Sequence, residues 1–117
     1  MRYAMLICGN EDEWTERGAM DGEAGMAQVY AWFERWEAAG KIANGGAELD
    51  SARKAKSIRA GVDGEIVVTD GPYLELKEVV GGVVFLEADT IDEAVAVAAT
   101  WPIRGSTSVE VRPIIEH

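Results

Sequence analysis

The sequence predicts an α+β fold with a ferredoxin-like split β-α-β arrangement and an extra β-hairpin. Apolar runs typical of strands and amphipathic stretches typical of helices follow in the order strand, helix, hairpin-rich middle, strand, helix, strand. The chain has 117 residues, of which 48% are apolar, so it can bury a core without a disulfide or a metal. We therefore expect a single domain over residues 1–117.

The first part of the chain is expected to hold one strand and one helix. Residues 2–8 are apolar on both faces, as in a central strand, whereas residues 9–20 are polar and irregular. Asp21 can cap a helix that runs to about Ala39. Its apolar stripe consists of Met26, Val29, Tyr30 and Phe33, with Trp32 and Trp36 on one flank. Tryptophans at this spacing favour core or subunit contacts over ligand stacking.

The middle of the chain predicts a hairpin. Residues 42–49 could form a strand, but Asn44-Gly45-Gly46 interrupts the pattern. Residues 57–60 and 65–69 flank a turn that contains Asp63-Gly64, where glycine can adopt a positive φ without steric cost.

The last part predicts two strands and a second helix. Residues 82–88 are typical of a buried strand, and residues 108–114 alternate apolar and charged side chains. Thr90 and Glu93 form a capping box that opens the helix, and Pro102 ends it. The apolar face of this helix consists of Ile91, Ala94, Val95, Ala98 and Trp101. Two helices cover only one face of such a sheet, so we expect the other face to pack on a second copy in a homodimer.

Charge and cysteine content exclude several classes of protein. Eleven basic against 21 acidic residues give a net charge of −10, which repels phosphate backbones and argues against nucleic-acid binding. The longest uncharged stretches, residues 24–33 and 94–103, are too short to span a membrane. The N-terminal apolar run is interpreted as a strand rather than a signal peptide, which favours a cytoplasmic location. The single cysteine, Cys8, is more typical of a buried structural thiol than of a nucleophile.

No generic catalytic motif is present, and the pattern indicates neither a metal nor a cofactor. The only histidine is the terminal His117, which we expect to be frayed. Chemistry is concentrated instead in residues 69–78, which hold three carboxylates and a lysine beside a turn that Pro72 stiffens. The segment can be either a structural turn with solvated charges or a set of polar groups directed into a cleft.

The same segment carries a family resemblance. The motif DGPY-x-E-x-K-E at residues 70–78, with Gly81-Gly82 after it, resembles the DGPF branch of the YCII-related family. The opening RYAMLICGNEDEW, a helix that begins D-E-A and the terminal V-E-V-R-P resemble that branch as well. The resemblance covers nearly the whole chain and implies a dimeric, ferredoxin-like α/β-barrel type of protein.

The resemblance implies little about activity. Related dimeric α/β-barrel proteins include lactone-processing, dehalogenating and oxygen-using enzymes, and DGPF genes often accompany sigma-factor genes. Tyr73 stands where the family has phenylalanine, and the hairpin from Arg59 to Glu65 is longer than usual. Part of the family has a histidine–aspartate pair, which this chain cannot form because it has no internal histidine.

Two functions are therefore expected. The first is an enzyme of lyase or isomerase type on a small, anionic or oxygenated molecule such as an organic acid. Its base would be Asp70 or Glu78, and Lys77 would stabilise negative charge. The candidate substrate-binding residues are Tyr73, Glu75, Arg59, Arg112 and Trp14. The second is a non-catalytic dimeric module that binds a small ligand or a regulatory protein, and the resemblance implies a link to sigma-factor-dependent transcription.

Overall fold

The strands and helices follow the order that the sequence predicts. The computed structural model describes residues 1–72 and 78–117, without the side chains of residues 17–21. Its elements are β1 (Arg2–Gly9), α1 (Glu11–Ala38), β2 (Ile42–Glu48), β3 (Lys56–Ala60), β4 (Ile66–Asp70), β5 (Val79–Glu87), α2 (Ile91–Ala98) and β6 (Ser108–Pro113). A short 3-10 turn, Ala52–Lys54, lies between β2 and β3.

Four strands form one antiparallel sheet in the order β2-β5-β1-β6, and β3 and β4 form a separate two-stranded hairpin. This order results when two strand–helix–strand units interleave, which confirms the ferredoxin-like α+β prediction. In the part of the chain that the structure describes, neither helix combines the length and apolarity needed to cross a membrane.

The two faces of the sheet differ in what covers them. Tyr3 and Met5 of β1 are buried against the helices. The alternate residues of β1 point the other way, and Leu6 pairs with Val83 and with Glu110. We call this second surface the helix-free face. Its apolar residues include Ala4, Leu6, Cys8, Val83 and Phe85.

Tryptophans and α2 fill one part of the helix-covered side, which we call the packed end. The rings of Trp32, Phe33 and Trp101 meet edge to face, with centroids 5.0–5.9 Å apart. The Thr100 hydroxyl accepts hydrogen bonds from the indoles of Trp32 and Trp36, at 3.0 and 2.9 Å. Leu86 of β5 lies within the same core and is fully buried.

Helix α1 departs from the expectation at its start and along its stripe. It begins at Glu11 rather than Asp21, because the side chain of Asn10 caps it by accepting a 3.0 Å hydrogen bond from the amide of Glu13. Gly22, with φ near +51°, interrupts the helix. Tyr30, expected on the apolar stripe, is instead 66% exposed.

The later elements match their sequence patterns with one difference. The hydroxyl of Thr90 accepts a 3.2 Å hydrogen bond from the amide of Glu93, which confirms the predicted cap. In β6, charged residues alternate with half-buried valines, as predicted. Ile91 and Val95 were expected on the apolar face of α2, but both are exposed because the helix buries Ala94, Val97 and Ala98 instead.

The hairpin formed by β3 and β4 has an uncovered apolar face. Gly64 adopts a φ of +79° in its turn, as the sequence predicts. Cross-strand pairing places Ile58 opposite Val68 and Ala60 opposite Ile66, so these side chains project from one surface. Ile58, Ile66 and Val68 are between 59% and 69% exposed.

Candidate functional site

A cavity of about 540 Å³ lies between α1, β2 and β5 on the helix-covered side of the sheet. Its volume falls in the range of small-molecule pockets in proteins. Most of its lining side chains are apolar, and three are aromatic. The apolar lining residues include Ile7, Trp14, Met26, Val29, Phe33, Ile42, Leu49, Val84 and Trp101.

Glycines on two neighbouring strands leave this space open. Residues 44–46 of β2 lie between Ala43, which pairs with Phe85, and Ala47, which pairs with Val83. Residues 44–46 therefore lie opposite a single residue, Val84, so β2 has a bulge at this point. A Cβ on Gly46 would lie 2.7 Å from the carbonyl oxygen of Val83, so no side chain fits there.

The indole of Trp14 forms one wall of the cavity. It packs against Gly9 of β1 and Gly81 of β5, where an added Cβ would lie 2.5 Å from the ring in each case. A register shift in the β1–β5 pairing leaves Gly81 without a partner opposite it. The indole nitrogen donates a 2.8 Å hydrogen bond to the hydroxyl of Thr107, which fixes the ring.

Hydrogen bonds tie the start of α1 to the chain that leaves β2. The Glu11 carboxylate accepts hydrogen bonds from the hydroxyl of Ser51 at 3.0 Å and from the amide of Ala52 at 2.8 Å. Asp12 and Arg53 form an exposed ion pair beside it. These contacts hold Glu11 in one position at the cavity, with its side chain half-buried.

Only carboxylates supply charge to the cavity lining within the described residues. Glu11 is half-buried, and Glu37 and Glu48 are exposed at the rim. No Lys, Arg or His among the described residues lines the space. The arrangement can surround an apolar molecule and place negative charge beside it. Across the described residues, no group of three or more side chains is arranged to hold a metal ion.

Of the candidate residues from the sequence, only Trp14 lines the cavity in the part of the chain that the structure describes. Asp70 and Arg59 lie on the hairpin. Arg112 pairs with Ala4 and so projects from the helix-free face. Tyr73, Glu75 and Lys77 lie outside the described residues. The structure therefore brings together no cluster of Asp70, Glu78, Arg59 and Arg112 around the cavity.

Asp70 ends β4 at the start of the proline turn. Its carboxylate forms an ion pair with Lys56, directly opposite on β3, and is largely exposed. The turn itself is fixed by hydrogen bonds from the amide of Gly71 to the carbonyl of Ala55 and from the hydroxyl of Ser57 to the carbonyl of Gly71, both 2.7 Å. These contacts anchor Gly71 to the segment from Ala55 to Ser57.

Glu78 is exposed immediately before β5, close to Cys8 on the helix-free face. Partial burial raises the pKa of the Cys8 thiol, and the carboxylates of Glu110 and Glu78 raise it further. A raised pKa keeps the thiol protonated, which agrees with a structural rather than a nucleophilic cysteine.

Sequence reasoning missed the cavity itself. Its lining comes from glycine pairs on two strands that are far apart in the chain, Gly45-Gly46 and Gly81-Gly82. Each pair is visible in the sequence as a break in an apolar strand pattern. Only the pairing of β2 with β5 shows that the two breaks lie close together on adjacent strands, because Gly82 pairs with Glu48, two residues beyond Gly46.

Comparison with known proteins identifies the family of this chain. No curated protein gives a significant match to the chain. The model of the YCII-related domain family matches residues 1–117, the whole length. On this match the chain belongs to the family of YCII-related domains.

Proposed function

We propose that this YCII-related protein binds a small, largely apolar organic molecule in the cavity between α1, β2 and β5. The observation that carries the proposal is the apolar space of about 540 Å³, with Trp14, Phe33 and Trp101 in its wall. Pockets of this kind bind ligands through buried apolar area, and a few polar groups orient them. Glu11 is such a group, because two hydrogen bonds hold it at the cavity.

A pair of tryptophan substitutions on α1 tests this site. Val29 lines the cavity, whereas Ala31, two residues further, is exposed and does not. Val29→Trp fills the space, so it should weaken binding of the neutral probe 2-(naphthalen-1-yl)ethanol at least tenfold in calorimetry. Ala31→Trp should leave the affinity unchanged. Absence of binding to the native protein, or equal affinity in both variants, would refute the proposal.

Proton-transfer catalysis is a second candidate, of the lyase or isomerase type. Glu11 supports it, since a half-buried carboxylate fixed at an apolar cavity can accept a proton from a bound molecule. The test is hydrogen–deuterium exchange into a bound carbonyl probe, 1-(naphthalen-2-yl)ethanone, followed by NMR. Exchange should exceed that of the buffer and fall with Glu11→Gln, which retains the hydrogen-bonding shape; exchange equal to buffer would exclude this chemistry.

We also propose a homodimer in which the helix-free faces pack together. The face presents Leu6, Val83 and Phe85, and the β3–β4 hairpin has an exposed apolar surface of its own. A two-stranded hairpin is marginally stable alone, which favours a partner for it. Light scattering at micromolar concentration should give twice the chain mass of 12.6 kDa. Leu6→Gln should shift the mass towards the monomer and Ile91→Gln, on α2, should not; a native mass of 12.6 kDa would refute the dimer.

A further inference from the structure

We propose that the cavity selects organic cations: molecules with an aromatic or aliphatic body and a protonated amine. This inference rests on the proposed binding function and adds the charge of the ligand. It reverses the anionic substrate expected from the sequence, because that expectation relied on arginines and a lysine that the described cavity wall does not contain.

The charges around the cavity are the first reason. Glu11, Glu37 and Glu48 come from three separate places, the first turn of α1, its last turn and the end of β2. Glu11 and Glu48 lie at one end of the space, since both also border a neighbouring hollow, and Glu37 adds a carboxylate from the last turn of α1. An ammonium group at the cavity gains from all three carboxylates, whereas a carboxylate there is repelled by each of them. The net charge of −10 acts in the same direction at longer range.

Three basic residues near the cavity wall, on β1, before β2 and after β2, interact with other groups. Lys41, just before β2, forms an ion pair with Glu93. Arg53 is paired with Asp12. Arg2 lies over the ring of Phe85 and donates a 3.3 Å hydrogen bond to the carbonyl of Asn44, and its strand position directs it to the helix-free face. None of these groups lines the cavity.

The aromatic wall is the second reason. Trp14, Phe33 and Trp101 each line the cavity. Aromatic faces attract ammonium groups, most strongly where water is excluded, and tryptophan is the best of them. The indole N–H of Trp14 is already bonded to Thr107, so it does not compete for the ligand. Apolar walls with carboxylates around them match an amphiphilic cation.

Three probes with one ring system separate ligand charge from ligand shape. We would measure dissociation constants for 2-(naphthalen-1-yl)ethylamine, 2-(naphthalen-1-yl)ethanol and naphthalene-1-acetate by calorimetry at low salt and at high salt. The amine should bind about tenfold more tightly than the acetate, with the alcohol between them. The preference should shrink at high salt, because two of the three carboxylates are exposed and become screened.

A matched pair of variants locates the source of the preference. Glu37→Gln removes a carboxylate at the rim, and Glu34→Gln removes an exposed one on the same helix outside the lining. The first should reduce the amine-to-acetate ratio by about two- to threefold and the second should leave it unchanged. Binding of the alcohol should persist in both variants.

The outcomes distinguish this inference from the proposed function. Equal or tighter binding of the acetate, with the alcohol still bound, would overturn the charge selectivity and leave the binding function standing. Binding of none of the three probes would overturn both. An amine preference reduced equally by Glu37→Gln and Glu34→Gln would assign it to the general charge of the protein and overturn its origin in the cavity, and a preference that neither variant changes would overturn that origin as well.

Discussion

Strand β5 passes through two regions that differ in how side chains fill the space beneath α1. Towards its end, Leu86 is fully buried in the packed end, and Val84, also buried, lies between that core and the cavity that it lines. Towards its start, Gly81 and Gly82 carry no side chains and face the cavity. The same helix and the same sheet therefore enclose a filled core at one end and an open space at the other.

The difference shows that the cavity exists because glycines leave the space without side chains, and not because the helix lies farther from the sheet there. The glycines lie on adjacent strands but are offset, since Gly46 of β2 lies across from Val84 whereas Gly82 of β5 pairs with Glu48, and Trp14 closes the space beside Gly81. Interiors are normally close-packed, so an opening of this size requires residues that cannot fill it. Substitutions at the two ends should consequently have unequal effects on stability and on binding.

The largest expected effect is the loss of a large side chain from the packed end. Leu86 is fully buried, so Leu86→Ala should lower the free energy of unfolding by about 2–5 kcal/mol. Met26 lines the cavity and is 48% exposed, so Met26→Ala should cost less than about 1 kcal/mol. Urea unfolding at one protein concentration measures both. Similar costs would mean that the cavity end is packed as tightly as the core.

The adjacent glycines of β5 should respond in opposite directions. Gly81→Ala places a Cβ 2.5 Å from the ring of Trp14 and should cost about 1–3 kcal/mol. Gly82→Ala meets only ordinary contacts, the nearest at 3.4 Å, and should be neutral or stabilising by less than about 1 kcal/mol.

Urea unfolding measures the stability of the two glycine variants, and tryptophan fluorescence reports the surroundings of Trp14. Gly81→Ala should also shift the emission of Trp14, and its cost should be smaller in a Trp14→Phe background, which provides room. An equal cost for both glycines, or a cost at Gly81 that Trp14→Phe does not change, would contradict the role of the indole as the wall.

A smaller effect is expected at the ion pair beside the packed end. A hydrogen bond from Lys41 lowers the pKa of Glu93, and the amide of Asp89 lowers it further. A lowered folded-state pKa contributes stability that is present above the unfolded pKa and is lost as the pH falls through the folded value. The free energy of unfolding should therefore decline in acid, below about pH 4.

The variant Glu93→Gln should remove that part of the acid dependence, so its stability difference from the native protein vanishes at low pH. Glu34→Gln, which lies on the exposed side of α1, should retain the native pH profile. At alkaline pH the same pair weakens, because the Lys41 ammonium, whose pKa the Glu93 hydrogen bond raises, finally loses its proton. If stability depended on pH in the same way in both variants, the Lys41–Glu93 ion pair would not be the source of the acid dependence.

The smallest expected effect is at the proline turn. Asp70 is paired with Lys56 and does not line the cavity, so Asp70→Asn should change the affinity for the naphthyl amine less than twofold. The turn retains its hydrogen bonds from Gly71 and Ser57, so stability should change little. A tenfold loss of binding with native stability would instead support the role of residues 70–78, including Lys77 and Glu78, that the sequence predicts.

The sequence was sufficient for most of the fold because each element carries its own local pattern. The alternating valines of β6, the Thr90 cap and the Asp63-Gly64 turn all specify structure within a few residues. The start of α1 was missed although Asn10 and the three acidic residues after it are helix-start signals. Glycines in the following stretch weakened the helical pattern there.

The site was harder to predict because it depends on contacts between distant segments. Trp14 was identified as a candidate, but its contacts with Gly9, Gly81 and Thr107 follow from sheet pairing and loop placement. A motif rich in charge, such as residues 70–78, is conspicuous in a sequence, whereas a cavity defined by missing side chains is not. Glycine breaks on strands that become neighbours are therefore a useful signal to seek.

The most direct test of the cavity as the ligand site is an amide chemical-shift map of the native protein with 2-(naphthalen-1-yl)ethylamine. The largest shifts should fall on the glycine amides of β2 and β5, Gly45, Gly46, Gly81 and Gly82, which line the cavity. The amides of residues 56–70 in the hairpin should remain in place. Shifts concentrated in that hairpin or on the helix-free face, with the four glycines unaffected, would contradict the cavity as the site.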